Sequence, residues 1–76
     1  MFSLDIQKKL DNFYKDMKFQ SYVEFEIKKD YIHGFSVILK TDYLTSTYIR
    51  ELFYFHEKEN IPFGIFSEDG KITIIY

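Results

Sequence analysis

The first third of the chain carries apolar residues at helical spacing. Between residues 4 and 18 they recur about every 3.6 positions, which predicts a helix with one apolar face. Ser3 can cap its start, and Asp5 lies in the first turn, where the helix dipole favours a negative charge. The predicted apolar face consists of Phe2, Ile6, Leu10, Phe13, Tyr14 and Met17.

Two stretches with the period of a strand follow this helix. Residues 21–28 and 35–40 alternate apolar and polar positions, which is typical of strands with one buried face. Residues 29–34 between them predict a hairpin loop. The pairs that place large apolar residues on one face are Phe25 with Val37 and Ile27 with Phe35.

The pattern returns to helical spacing after Thr41 and Asp42. A cap among residues 45–47 and a stop at Asn60 and Pro62 predict a second helix that ends near residue 59. Its predicted central stripe is Ile49, Leu52, Phe53 and His56, with Tyr48 and Phe55 on one flank.

A second hairpin closes the chain. The dipeptide Asp69-Gly70 is typical of a type I′ turn between two strands. Centring the strands on it gives a register that runs outward from the turn. The expected pairs are Glu68–Lys71, Ser67–Ile72, Phe66–Thr73, Ile65–Ile74, Gly64–Ile75 and Phe63–Tyr76.

These elements predict one α+β domain over residues 1–76 in the order αββαββ. The expected architecture is a four-stranded, mostly antiparallel sheet with both helices packed on one face. Moving the first strand of a ferredoxin-like βαββαβ chain to its end gives the same order, a circularly permuted arrangement. In that arrangement strands 35–40 and 71–76 would be central and parallel, and a central position suits residues 72–76 because they are apolar on both faces.

Composition narrows the function. The chain has no cysteine, which excludes disulfides and Cys-ligated zinc, and its formal net charge of −2 gives it no basic character for nucleic acid. Alanine is absent while Phe, Tyr, Ile and Lys are abundant, a bias that AT-rich bacterial or phage genes produce. Without a signal peptide or a long apolar segment, the chain is expected in the cytoplasm, without membrane contact.

No set of residues predicts catalysis, a metal site or a cofactor. His56 with Glu59 could form a general base or a metal ligand, but a core imidazole near a helix end explains His56 better. His33 is expected in a hairpin loop beside Gly34. Two histidines without a third ligand make a poor metal site. Because the sequence offers no catalytic set either, we expect a protein that is not an enzyme.

The face of the sheet opposite the helices is the main candidate surface. Four apolar side chains are expected to meet there and to form a protein interface, with glutamates at its rim and Tyr54 as a second contact on the second helix. The predicted partner-binding residues are Tyr22, Ile38, Phe66, Ile75, Glu24, Glu26 and Tyr54.

The sequence therefore predicts a small non-enzymatic protein-binding module. It would act as a homodimer or as a phage or mobile-element inhibitor or adaptor of a larger host protein or defence complex. The alternative is a nucleic-acid-associated regulator that uses tyrosines and the first-helix lysines Lys8, Lys15 and Lys18.

Overall fold

The computed structural model describes residues 3–30 and 34–76, without the side chain of residue 30. The four strands form one antiparallel sheet in the order β1-β2-β4-β3. This confirms the α+β prediction of a four-stranded antiparallel sheet with two helices. The elements are α1 Leu4–Ser21, β1 Phe25–Asp30, β2 Gly34–Leu39, α2 Ser46–Glu59, β3 Gly64–Glu68 and β4 Lys71–Ile75.

Hydroxyl caps set the start of both helices. The side chain of Ser3 accepts a hydrogen bond from the Ile6 N–H at 3.2 Å, and Thr45 accepts one from the Tyr48 N–H at 3.1 Å. Each cap satisfies a backbone donor that has no partner inside the helix. Of the candidates at residues 45–47, the cap is therefore Thr45.

The second hairpin has the predicted register. Five pairs, from Gly64 with Ile75 to Glu68 with Lys71, match the expected ones. Asp69 and Gly70 have φ angles of 53° and 72°, and a type I′ turn requires positive φ at both central residues.

The predicted register of the first hairpin is wrong by two residues. Phe25 pairs with Leu39 and Ile27 with Val37, because both strands continue further toward the turn than expected, to Asp30 and Gly34. A shift of two residues leaves every side chain on its predicted face, so the apolar pattern alone could not detect the error.

The central strands are the predicted ones, but their parallel pairing is wrong. β2 and β4 lie side by side and run antiparallel, with Ser36 opposite Ile75 and Leu39 opposite Ile72. The reason lies in the connection through α2. The crossover through α2 makes β2 and β3 parallel, and the two-residue turn makes β4 antiparallel to β3. Since β4 lies between these two strands, it is antiparallel to β2 as well. This split βαβ unit also occurs in ferredoxin-like chains.

Both helices pack on one face of the sheet and enclose a single core. The ring of Tyr14 in α1 lies 5.8 Å from that of Phe25, and the two helices meet where Phe13 stacks on Phe55 at 4.4 Å between ring centroids. The buried apolar residues are Leu10, Tyr14, Met17, Phe35, Val37, Leu39, Leu44, Tyr48, Leu52, Ile61, Ile72 and Ile74.

The buried stripe of α2 differs from the predicted one. Tyr48, Leu52 and His56 are buried, whereas Ile49 and Phe53 are 41% and 50% exposed. The helix is therefore rotated toward Tyr48 relative to the prediction. This rotation leaves an apolar strip of α2 outside the core.

Candidate functional site

The face of the sheet opposite the helices, called the open face below, brings three predicted residues together. The strand registers align Ile38, Thr73 and Phe66 in one row across β2, β4 and β3. Ile75 lies in the next row, diagonal to both Ile38 and Phe66. Phe66 and Ile75 are 41% and 40% exposed, and Ile38 is partly exposed. These three side chains form the apolar part of the open face.

Tyr22 does not belong to the open face, and its predicted place in a strand is wrong. α1 continues to Ser21, and Tyr22 caps the helix in the left-handed conformation with φ 61° and ψ 19°. Its N–H donates to the Lys18 carbonyl at 2.8 Å. The ring lies beside Phe19 in a groove along the end of α1.

The predicted rim residues separate as well. Glu26 pairs with Ile38 and lies beside the apolar part of the open face. Glu24 precedes β1, and its carboxylate contacts the Lys18 ammonium of α1 at 3.1 Å. Tyr54 is exposed on α2, which packs on the other face of the sheet, so it does not belong to the open face.

β3 is the least protected strand of the sheet. It lies at an edge, and each of its five residues is exposed. The two-residue turn makes Glu68 and Lys71 a hydrogen-bonded pair, and such pairs alternate along an antiparallel ladder. The main-chain N–H and C=O groups of Ile65 and Ser67 therefore point away from β4, toward open space.

The two edges of the sheet differ in chemistry. β1 carries Lys28 and Lys29, and charged residues on edge strands discourage pairing with other chains. β3 has the sequence Gly-Ile-Phe-Ser-Glu, with no lysine, arginine or proline. The edge at β3 is therefore the one suited to accept another strand.

An apolar strip lies between α2 and the β3 edge, and the sequence did not predict it. We call Ile49, Phe53, Phe63 and Ile65 the β3 flank. The rings of Phe53 and Phe63 are 5.2 Å apart. Ile49 lies one helical turn before Phe53, and Ile65 lies two residues after Phe63 on the same face. Since α2 and β3 run in opposite directions, Ile49 and Ile65 both lie on the same side of the Phe53–Phe63 pair and lengthen the strip in that direction.

His56 is part of a buried hydrogen-bond chain. Its Nδ1 lies 2.6 Å from the Leu52 carbonyl, so Nδ1 carries the proton and donates. Its Nε2 then accepts from the Tyr76 hydroxyl at 2.6 Å, and that hydroxyl contacts the Tyr14 hydroxyl in turn. Burial lowers the pKa of His56 and raises those of Tyr14 and Tyr76.

Glu59 does not orient His56, so the alternative of a His56–Glu59 pair is wrong. The Glu59 carboxylate accepts a hydrogen bond from the Lys9 ammonium at 2.8 Å, which joins the two helices at the surface. This bond lowers the pKa of Glu59 and raises that of Lys9. His56 is 2% exposed and lies in the core, as expected, but burial lowers its pKa and favours the neutral ring, whereas the expectation placed a positive charge at this helix end. His33 lies outside the described residues.

The predicted nucleic-acid lysines are only partly together. Lys15 and Lys18 line a groove of about 440 Å³ with Phe19 and Tyr22, and Lys8 is not in its lining. The Lys15 ammonium contacts Asp11 at 2.9 Å. Phe19, which the apolar pattern of α1 does not mark, is 85% exposed. An aromatic residue on the polar side of a helix indicates an exposed ring, and this position could have marked Phe19 as a candidate binding residue.

Residues 3–30 and 34–76 contain no cluster of three or more His, Asp or Glu side chains that could hold a metal ion. Neither helix in these ranges has the length and apolar character required to cross a bilayer. No protein-family model, curated protein or solved structure matches the chain.

Proposed function

We propose that this protein is a small protein-binding module that docks its partner along β3 and the adjoining open face. The observation that carries the proposal is the unprotected β3 edge, with Phe66 exposed on one side and Ile65 on the other. Exposed apolar side chains beside unpaired strand groups favour the addition of a strand from another chain. The lysines of β1 discourage pairing at the opposite edge, so strand addition is favoured at β3 alone.

The arrangement of polar groups supports binding in preference to catalysis. Both ring nitrogens of His56 are engaged inside the core. Glu59 is engaged with Lys9, and Glu24 with Lys18. The exposed surface at β3 therefore offers apolar contact and main-chain hydrogen bonds, the two elements of strand addition.

An inhibitor or adaptor that covers a site on a larger host protein is the form of this function that fits the chain best. A domain of 76 residues offers one small interface, and the amino-acid bias of the chain, which AT-rich genes produce, favours a bacterial or phage origin. A chain without cysteine gains nothing from an oxidising compartment, which supports the cytoplasm as its place of action.

Partner retention by matched charge variants tests this proposal. Phe66→Glu places a charge in the centre of the proposed interface, whereas Lys28→Glu reverses a charge on the same face at the opposite edge. We expect Phe66→Glu to lose the protein that the wild type retains from host lysate, while Lys28→Glu keeps it. Circular dichroism checks that both variants fold. Equal retention by both folded variants would contradict the proposal.

A second candidate function is binding of single-stranded nucleic acid at the end of α1. It is supported by two exposed rings, Phe19 and Tyr22, that line one groove with Lys15 and Lys18. Bases stack on exposed aromatic rings, and lysines contact the phosphates. Titration of a fluorescent oligonucleotide at about 50 and 200 mM salt tests it, because phosphate contacts weaken steeply over this range. Binding that is absent at low salt, or that persists in Phe19→Ala, would contradict it.

A further inference from the structure

The β3 edge has a shape that fits a second copy of itself. We propose that two chains pair antiparallel along β3, centred on Ile65, and form one eight-stranded sheet. This inference rests on the proposed function: it assigns the strand-binding edge first to a second copy, which a host protein that docks there would have to displace. The outward N–H and C=O groups of Ile65 then bond Ile65 of the second copy, and those of Ser67 bond the second copy's Phe63.

Self-pairing in this register covers the exposed ring of Phe66 on the open face. Phe66 of each chain lies opposite Gly64 of the second copy. Nothing lies within 4 Å of the position that a Cβ on Gly64 would take, so a ring can cover this glycine without a clash. The pairing covers the exposed part of Phe66 and a bare stretch of backbone together.

The charges of the strand also suit this register. Glu68 is the charged residue of β3, and within each chain it lies opposite Lys71. Antiparallel pairing centred on Ile65 places the two copies of Glu68 at opposite ends of the interface. No like charges meet across the strands, so self-association carries no electrostatic penalty there.

The helix side of the interface is apolar as well. The β3 flank of each chain faces its counterpart across the two-fold axis, so Ile49 and Phe53 of the two copies approach each other. The exposed parts of Ile49, Phe53, Ile65 and Phe66 amount to roughly 300–400 Å² per chain, against ~800 Å² per partner in a standard interface. Strand pairing has to supply the rest, so we expect a micromolar dimer.

Proline variants at the two edges test the pairing. Ser67→Pro removes an outward N–H of β3 and leaves the bonds to β4 intact. Lys29→Pro is the matched control. The Lys40 N–H donates to the Glu24 carbonyl, so the main-chain groups of the even-numbered residues of β1 bond β2. The main-chain N–H of Lys29 therefore points away from β2, toward the outside of the sheet. In sedimentation velocity of the pure protein, we expect dimers for the wild type and Lys29→Pro and monomers for Ser67→Pro.

A single cysteine tests the register, since the chain has none of its own. Ile65→Cys places two thiols opposite each other, within the Cα separation of ~4.4–6.8 Å that a disulfide needs. Ser67→Cys is the control, because its two copies lie four residues apart along the strands. We expect mild oxidation to yield a covalent dimer of Ile65→Cys and not of Ser67→Cys.

These outcomes separate the inference from the proposed function. A wild type that stays monomeric up to near-millimolar concentration, or equal cross-linking of both cysteine variants, would overturn the second copy as partner. The proposed function would remain subject to its own test with Phe66→Glu. Loss of lysate partners in that variant together with a monomeric wild type would assign the edge to a different protein.

Discussion

The stability of the fold should fall as the pH drops below neutrality, because His56 is buried in its neutral form. Its ring is held between the Leu52 carbonyl and the Tyr76 hydroxyl, and its pKa is lowered by burial. A proton on Nε2 would turn this acceptor into a donor that faces the Tyr76 hydroxyl. The Tyr14 hydroxyl beyond would then have to reorient as well.

The sign and size of the effect follow from proton linkage. In the unfolded chain His56 has an ordinary pKa of about 6.5, so between that value and its lower folded pKa the unfolded state binds more protons. The stability is fully present above pH ~6.5 and is lost as the pH falls toward the folded pKa. The loss is at most ~1.4 kcal/mol per pH unit and at most about 1.4 kcal/mol between pH 7.5 and 5.5.

Urea unfolding followed by circular dichroism at pH 7.5 and 5.5 measures this loss. With a slope of about 1–2 kcal/mol per M for a small domain, the wild-type midpoint should fall, by at most roughly 0.7–1.4 M. His56→Leu should show a smaller fall than the wild type, and His33→Gln, which removes the other histidine, is the matched control. A wild type equally stable at both values, or a His56→Leu variant with the full wild-type loss, would refute the assignment.

Four further predictions concern folding and are read by urea unfolding. Ile74→Ala should lower the free energy of unfolding by about 2–5 kcal/mol, because Ile74 is fully buried. Ile75→Glu should change it by less than ~1 kcal/mol, since that side chain points to the open face. Tyr76→Phe should cost about 1–3 kcal/mol, because His56 Nε2 loses its donor. Tyr22→Gly should stabilise the protein by about 0.5–1 kcal/mol by relieving a left-handed tyrosine, and no gain there would contradict this cause.

The two hairpins show what the sequence could and could not determine about the sheet. Asp69-Gly70 favours one turn geometry, and a two-residue turn fixes every pair that follows it. The first hairpin offers no such dipeptide, so only the apolar pattern constrained its register. A pattern with a period of two cannot distinguish registers that differ by two residues, and Phe25 was assigned to Val37 instead of Leu39.

The end of α1 was missed for a different physical reason. Helices commonly end at a glycine or an asparagine in the left-handed conformation, as α2 does at Asn60. Tyr22 takes that conformation despite its Cβ, so no residue type marked the boundary. Its ring is 87% exposed, and its packing in the fold does not offset the backbone cost. The open face therefore lacks Tyr22, which lies with Phe19 in the groove at the end of α1.

The β3 flank has its origin in the width of the apolar arc on α2. At 100° per residue, the arc from Phe55 through Tyr48 to Phe53 spans roughly 160° of the helix. The core buries the part of this arc centred on Leu52, and Ile49 and Phe53 lie beyond it. Periodicity gives the direction of an apolar face, but it cannot say which edge of a wide face the core will cover. The uncovered edge lies beside β3, the edge strand without a lysine, so helix and strand leave apolar surface at the same side of the domain. Both α2 and β3 leave apolar side chains exposed at the β3 edge. An interface at this edge would bury both sets at once and so explain why they lie together.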